Sequence, residues 1–118
     1  MSAGERALQM IEVAARAASD KLAENILAFD VSEQLAITDA FLLCSAKNER
    51  QVQAIVDEIE ERLRDLVAEP PRREGHREGR WVLLDYVDFV VHVFHPALRT
   101  FYQLERLWGD ARTVPVTA

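Results

Sequence analysis

Residues 48–69, NERQVQAIVDEIEERLRDLVAE, constrain this chain more than any other stretch. Val52, Ile55, Val56, Ile59, Leu63, Leu66 and Val67 recur at helical spacing and fall on one face. Asn48, followed three residues later by Gln51, forms a capping-box pattern: the Asn side chain takes an orphan backbone N–H, and Gln reaches back. Glu58 with Arg62, and Glu60 with Arg64, are spaced to pair on the wet face. Pro70 and Pro71 mark the end of the helix. A long helix with one greasy face must bury that face, and strand-like runs on both sides supply the surface for it.

Phe41, Leu42, Leu43 and Cys44 are continuously apolar within a strand expected over Ile37–Ala46, so both of its faces are expected to be covered. Asn25–Val31 alternates with period two and reads as another strand, joined to it by a turn beginning at Ser32–Leu35. Arg80–Tyr86 and Phe89–Phe94 read as two more strands, linked by a tight turn at Val87 and Asp88. Glu5–Leu22, rich in Ala, Glu, Gln and Arg, is a helix whose apolar side chains are mostly small. Pro96 is placed to open a last helix with Ala97, Phe101, Leu104 and Trp108 as its inner stripe and Gly109 as its stop. The expected order is α-β-β-α-β-β-α. This is an α+β (α/β) domain with a small mixed sheet covered by helices. If the long helix joins parallel strands, the crossover should be right-handed. Residues 70–80, PPRREGHREGR, hold no large apolar side chain and read as a flexible Arg-rich loop; residues 110–118 read as a tail without periodicity.

A chain of 118 residues with 49% apolar and 29% charged residues is one ordinary globular domain spanning residues 1–118. The single cysteine, Cys44, excludes an intrachain disulfide and suits a reducing cytoplasm. No run approaches the roughly 20 apolar residues that a membrane span needs. The first ten residues carry Glu5 and Arg6 and lack the basic-then-apolar order of a signal peptide. Fourteen basic and twenty acidic residues leave a net charge of −6, which disfavours a phosphate-gripping domain and favours a basic partner.

The four glycines, Gly4, Gly75, Gly79 and Gly109, form no phosphate-binding motif. His92 and His95, three apart on a strand, point to opposite faces and do not readily chelate one metal; His92 reads as an inner hydrogen-bonded residue and His95 as a helix cap. Asp85 and Asp88 bracket the hairpin turn, and Asp39 sits near the start of the second strand. Three uses stay open for these carboxylates: turn chemistry, partner contact, or a Mg²⁺ site in a metal-dependent nucleotidyltransferase-like enzyme. Residues 81–98 contain no Lys or Arg, so the hairpin is an acidic tip on an apolar ribbon. Cys44 reads as a core thiol, and neither it nor Ser45 has a patterned base. Trp81, Tyr86, Tyr102 and Trp108 suit either a core or the centre of an interface. Arg72, Arg73, Arg77 and Arg80 are diluted by Glu74 and Glu78, which reads as a solvated loop with a minor RNA contact as its alternative. Nothing here requires catalysis; the residues favour a binding module.

The run Trp81-Val82-Leu83-Leu84-Asp85-Tyr86-Val87-Asp88-Phe89-Val90-Val91-His92-Val93-Phe94, followed by Arg99, Phe101, Tyr102, Leu104, Glu105, Leu107 and Trp108, resembles the bacterial ribosomal silencing factors, or Iojap family. Ile37-Thr38-Asp39 and the Asn48–Ile55 segment look like that family too, so the resemblance covers about residues 5–110. Many members have Gly where this chain has Val87, and a β-branched residue resists positive φ, so a different turn geometry is expected here. The resemblance implies a fold similar to a minimal nucleotidyltransferase sheet, no enzymatic activity and no cofactor. It implies a cytoplasmic homodimer that binds the large ribosomal subunit through its L-fourteen-family protein. Such binding blocks small-subunit joining and represses translation. On this reading Trp81, Asp85, Tyr86 and Asp88 carry the contact. Asp39 and His92 assist, and Arg99 and Tyr102 brace or border the same surface.

Overall fold

The computed structural model describes residues 4–33, 38–67, 69–75, 81–95 and 112–116. Helix α1 spans Glu5–Asp20, strand β1 Glu24–Asp30, β2 Ala40–Ser45, and helix α2 Glu49–Leu63. Strands β3 (Arg72–Glu74), β4 (Trp81–Asp85), β5 (Phe89–Phe94) and β6 (Arg112–Val114) follow. The six strands form one sheet in the order β3-β4-β5-β2-β1-β6. At its centre β2 runs parallel to β5, in register from Ala40 opposite Phe89 to Ser45 opposite Phe94. The neighbouring pairs β1–β2 and β4–β5 are antiparallel, as the two hairpins require.

Alternation along the strands divides the core into two layers. Val82, Leu84, Phe89, Val91, Val93, Ala40, Leu42 and Cys44 face the helices and join Val52, Ile55, Val56, Ile59 and Leu63 of α2 in one buried cluster. Each fully buried Ile or Leu there contributes about 2 kcal/mol of transfer free energy. Helix α1 enters the same cluster through Ala7, Ala14, Ala15, Ala17 and Ala18, whose small side chains let its backbone pack closely. On the opposite face Phe29, Val31, Leu43 and Phe94 are buried, with Leu27, Phe41 and Trp81 packed against them.

The capping box forms with a shift of one residue. Asn48 Oδ1 accepts from Gln51 N at 2.8 Å, but Gln51 Oε1 accepts from Lys47 N, and Gln51 Nε2 donates to the carbonyls of Lys21 and Leu22. One glutamine therefore ties the start of α2 to the end of α1. The α-helix ends at Leu63, and a 3-10 turn over Arg64–Leu66 precedes the prolines that were expected to end it.

Two stretches read from the sequence as irregular contain strands. Arg72–Glu74, within the expected 70–80 loop, pairs with β4, and Arg112–Val114, within the expected tail, pairs with β1. Arg73 is not a solvated loop residue. Its Nε and Nη2 grip Glu60 at 2.6 and 2.7 Å, and Nη2 also reaches Asp57 at 3.2 Å. Glu60 is thus taken from its expected partner, and Arg64 pairs with Glu61 instead, whereas the Glu58–Arg62 pair forms as expected. The helix expected after Pro96 lies outside the described residues.

Candidate functional site

The β4–β5 hairpin carries the candidate surface. Trp81 stands opposite Phe94 in the ladder and stacks on it, with ring centroids 5.2 Å apart. Its indole Nε1 donates to His92 Nδ1 at 3.3 Å. His92 lies parallel to Phe94 at 5.8 Å and meets Phe41 edge-on at 5.2 Å. The imidazole is buried, and burial pushes its pKa down from 6.5 to about 4. This is the inner hydrogen-bonded role expected of His92. It stands behind Trp81 and fixes the indole.

The turn is built by Asp85, whose Oδ1 accepts from Val87 N at 2.7 Å. Asp88 N donates to Tyr86 O at 3.1 Å, and Tyr86 N donates to Phe89 O at 2.9 Å. An i→i+2 bond around a central residue at positive φ is a γ-turn, the strained member of its class. Val87 adopts φ 78. The different geometry expected for a β-branched residue here is therefore not what forms. The left-handed conformation is imposed by bonds on both sides of Val87: the Asp85 carboxylate holds its N–H, and Thr38 Oγ1 donates to its carbonyl at 3.0 Å.

Asp39 does lie beside the hairpin, because the parallel β2–β5 pairing puts it there. Its backbone N–H donates to Asp88 O at 2.8 Å, and its carboxylate accepts from Gly4 N at 3.1 Å. Asp39 thus joins the turn to the start of α1. Asp85 and Asp39 both spend a carboxylate oxygen on backbone N–H groups. Asp39, Asp85 and Asp88 belong to no metal-holding group of side chains among the described residues.

Tyr86 does not share the surface of Trp81. Residues 81, 83 and 85 take one face of the sheet and 82, 84 and 86 the other. Tyr86 accordingly packs against the helix-side core and stacks on Phe89 at 6.2 Å. Its hydroxyl is buried without a hydrogen-bond partner among the described residues, and burial together with Glu60 pushes its pKa well above the ordinary 10.0. The two aromatics expected as joint anchors are therefore on opposite layers, although the period-two pattern already separated them. Arg99 and Tyr102 lie outside the described residues. Sequence reasoning missed Thr38 as the clamp on the turn; a Thr just before a strand carries no signal for so remote a bond.

The geometry offers an acidic hairpin turn, with Arg72 of β3 opposite Asp85 in the ladder, and an oriented indole, which suits recognition of a protein surface. A protein family described as ribosomal silencing factor during starvation matches residues 4–118. The chain belongs to this family. It is 43% identical over 106 residues to the ribosomal silencing factor of Halalkalibacterium halodurans, covering 90% of this chain and 91% of that protein. It is 45% identical over 102 residues to the Bacillus subtilis silencing factor, covering 86% of each. A crystal structure of a Chromobacterium violaceum protein superposes with a TM-score of 0.83 at 31% identity, over 87% of this chain and 86% of that one.

Proposed function

We propose that this protein silences translation by binding the large ribosomal subunit through its L-fourteen-family protein, where it sterically blocks joining of the small subunit. The observation that carries the reading is the family match across residues 4–118. A net charge of −6 and a hairpin without Lys or Arg support a basic protein partner, since complementary charge speeds encounter and fixes register. Trp81 is the apolar anchor, held by His92 and Phe94. Asp85 and Asp88 meet basic side chains of the partner through their carboxylates, and Asp39 fixes the hairpin from beside it. Tyr86 supports the turn from the helix side. Arg99 and Tyr102, expected from the sequence to brace or border that surface, lie outside the described residues. The protein acts in the cytoplasm as a homodimer and uses no cofactor.

Sedimentation through sucrose gradients with separated and then mixed subunits tests this. The protein should travel with large subunits and lower the yield of whole ribosomes. Remaining at the top of the gradient at low and moderate salt would refute it. Trp81→Ala and Asp85→Ala should each weaken co-sedimentation about tenfold or more, as hot-spot truncations do. If both bind like the parent, the hairpin is not the contact.

A further inference from the structure

Val87 is among the few large apolar residues that the described surface exposes, at 63%, and it is the central residue of the γ-turn. A β-branched side chain at φ 78 is a genuine outlier, and such conformations persist only where the surroundings over-determine them. Leu22 is also exposed at positive φ, but there the reason is local: its N–H closes on Ser19 O while Ala23 N closes on Ala18 O, a left-handed helix end. Val87 ends no helix. Its conformation is held by Asp85 in front and Thr38 behind, and the turn is moored to β2 through Asp88 O, which accepts from Asp39 N and Ala40 N. The result is a fixed apolar knob. Directly beside it a recess of about 220 Å³ opens between Arg6, Val67, Glu69 and Pro70 on one side and Asp85, Tyr86 and Val87 on the other. Asp85 and Asp88 flank the knob.

We propose that Val87 is a specificity-determining contact that this chain adds to those of the relatives with Gly at the position: it enters an apolar dimple rimmed by Lys and Arg on a protein of the large subunit. This rests on the function proposed above and assigns it a residue outside Trp81, the aspartates and Tyr86. The strain in the turn is the cost of holding a branched side chain at the tip instead of leaving the backbone bare. Apolar knobs ringed by charge are the usual anatomy of an interface centre.

The experiment compares the parent with Val87→Gly and Val87→Asn. Both replacements accept positive φ more readily than valine, so both fold with the turn relaxed and their thermal midpoints should rise by a few degrees. Asn keeps bulk and removes only the apolar contact. Both should bind large subunits at least tenfold more weakly than the parent in quantitative co-sedimentation, so stability and binding move in opposite directions. Binding by either variant within twofold of the parent overturns the contact. A fall in the midpoint of Val87→Gly overturns the strain on which it stands. If the parent itself fails to sediment with large subunits, the proposed function falls, and this assignment with it.

Discussion

Lowering the pH from about 7.5 to about 5 should remove about 2 kcal/mol of folding stability through one imidazole, that of His92. In the native state the ring is walled in by Phe41, Phe94 and Trp81, and its Nδ1 accepts the indole proton of Trp81. That bond requires a lone pair on Nδ1, so the ring is neutral with its proton on Nε2. Protonation sets one N–H against another in a site largely closed to water. The folded-state pKa is about 4 against an ordinary 6.5. Between those values the unfolded chain binds a proton that the native chain refuses. The contribution is therefore intact above the unfolded value, declines as the pH falls through it, and levels off below the folded value. A tenfold difference in proton affinity between the folded and unfolded chains is worth about 1.4 kcal/mol, so the full loss approaches about 3 kcal/mol, with about 2 kcal/mol of it reached by pH 5. Urea unfolding of the parent and of His92→Asn, across that range, isolates the contribution. Asn can accept the indole N–H but does not titrate. The parent's stability should fall more steeply than the variant's, and parallel curves would refute the reasoning.

Asn48→Ala removes the acceptor for Gln51 N and should cost about 1 kcal/mol, read as a lower urea midpoint at unchanged slope. Arg73→Ala leaves Glu60 half-buried without its fork and should cost about 1–2 kcal/mol, with faster amide exchange in β3; Arg73→Lys recovers only part of it, because an ammonium cannot make the paired bonds. At Gly75, φ is 78 and an added Cβ would lie 2.1 Å from the carbonyl oxygen of Trp81. Gly75→Ala should therefore cost about 2 kcal/mol or more and detach β3 from β4, seen as exchange in both strands and a change in tryptophan fluorescence.

What the sequence reveals depends on how local each cause is. The stripe of α2 and the alternation of β1 are written residue by residue, and both elements form, although the α-helix stops at Leu63, short of its expected end at Glu69. Arg72–Glu74 has no apolar residue to betray a strand; it becomes one because β4 offers a ladder and α2 offers carboxylates to Arg73. Arg112–Val114 is likewise a strand only because β1 has a free edge. The turn at Val87 misleads for the same reason: intrinsic preference argues against positive φ, and bonds from Asp85 and Thr38 override it. In the candidate site, the turn-building use of Asp85 and the inner position of His92 are legible from spacing. The meeting of Asp39 with Asp88 depends on a parallel pairing that periodicity does not specify.

The pairing of β1 with β6 carries a consequence for synthesis. The two strands are separated by 81 residues of chain. At the usual elongation rates of about 5–20 residues per second, about 4–16 s pass between completion of the first strand and arrival of the last. Throughout that interval the outer edge of β1 at Ala28–Asp30, the part that β6 later covers, waits unpaired with Phe29 at its middle, the kind of edge on which nascent chains find one another. Asp30 puts a charge at one limit of that exposed run. The three residues of β6 thus act as a late-arriving cover as much as a structural strand.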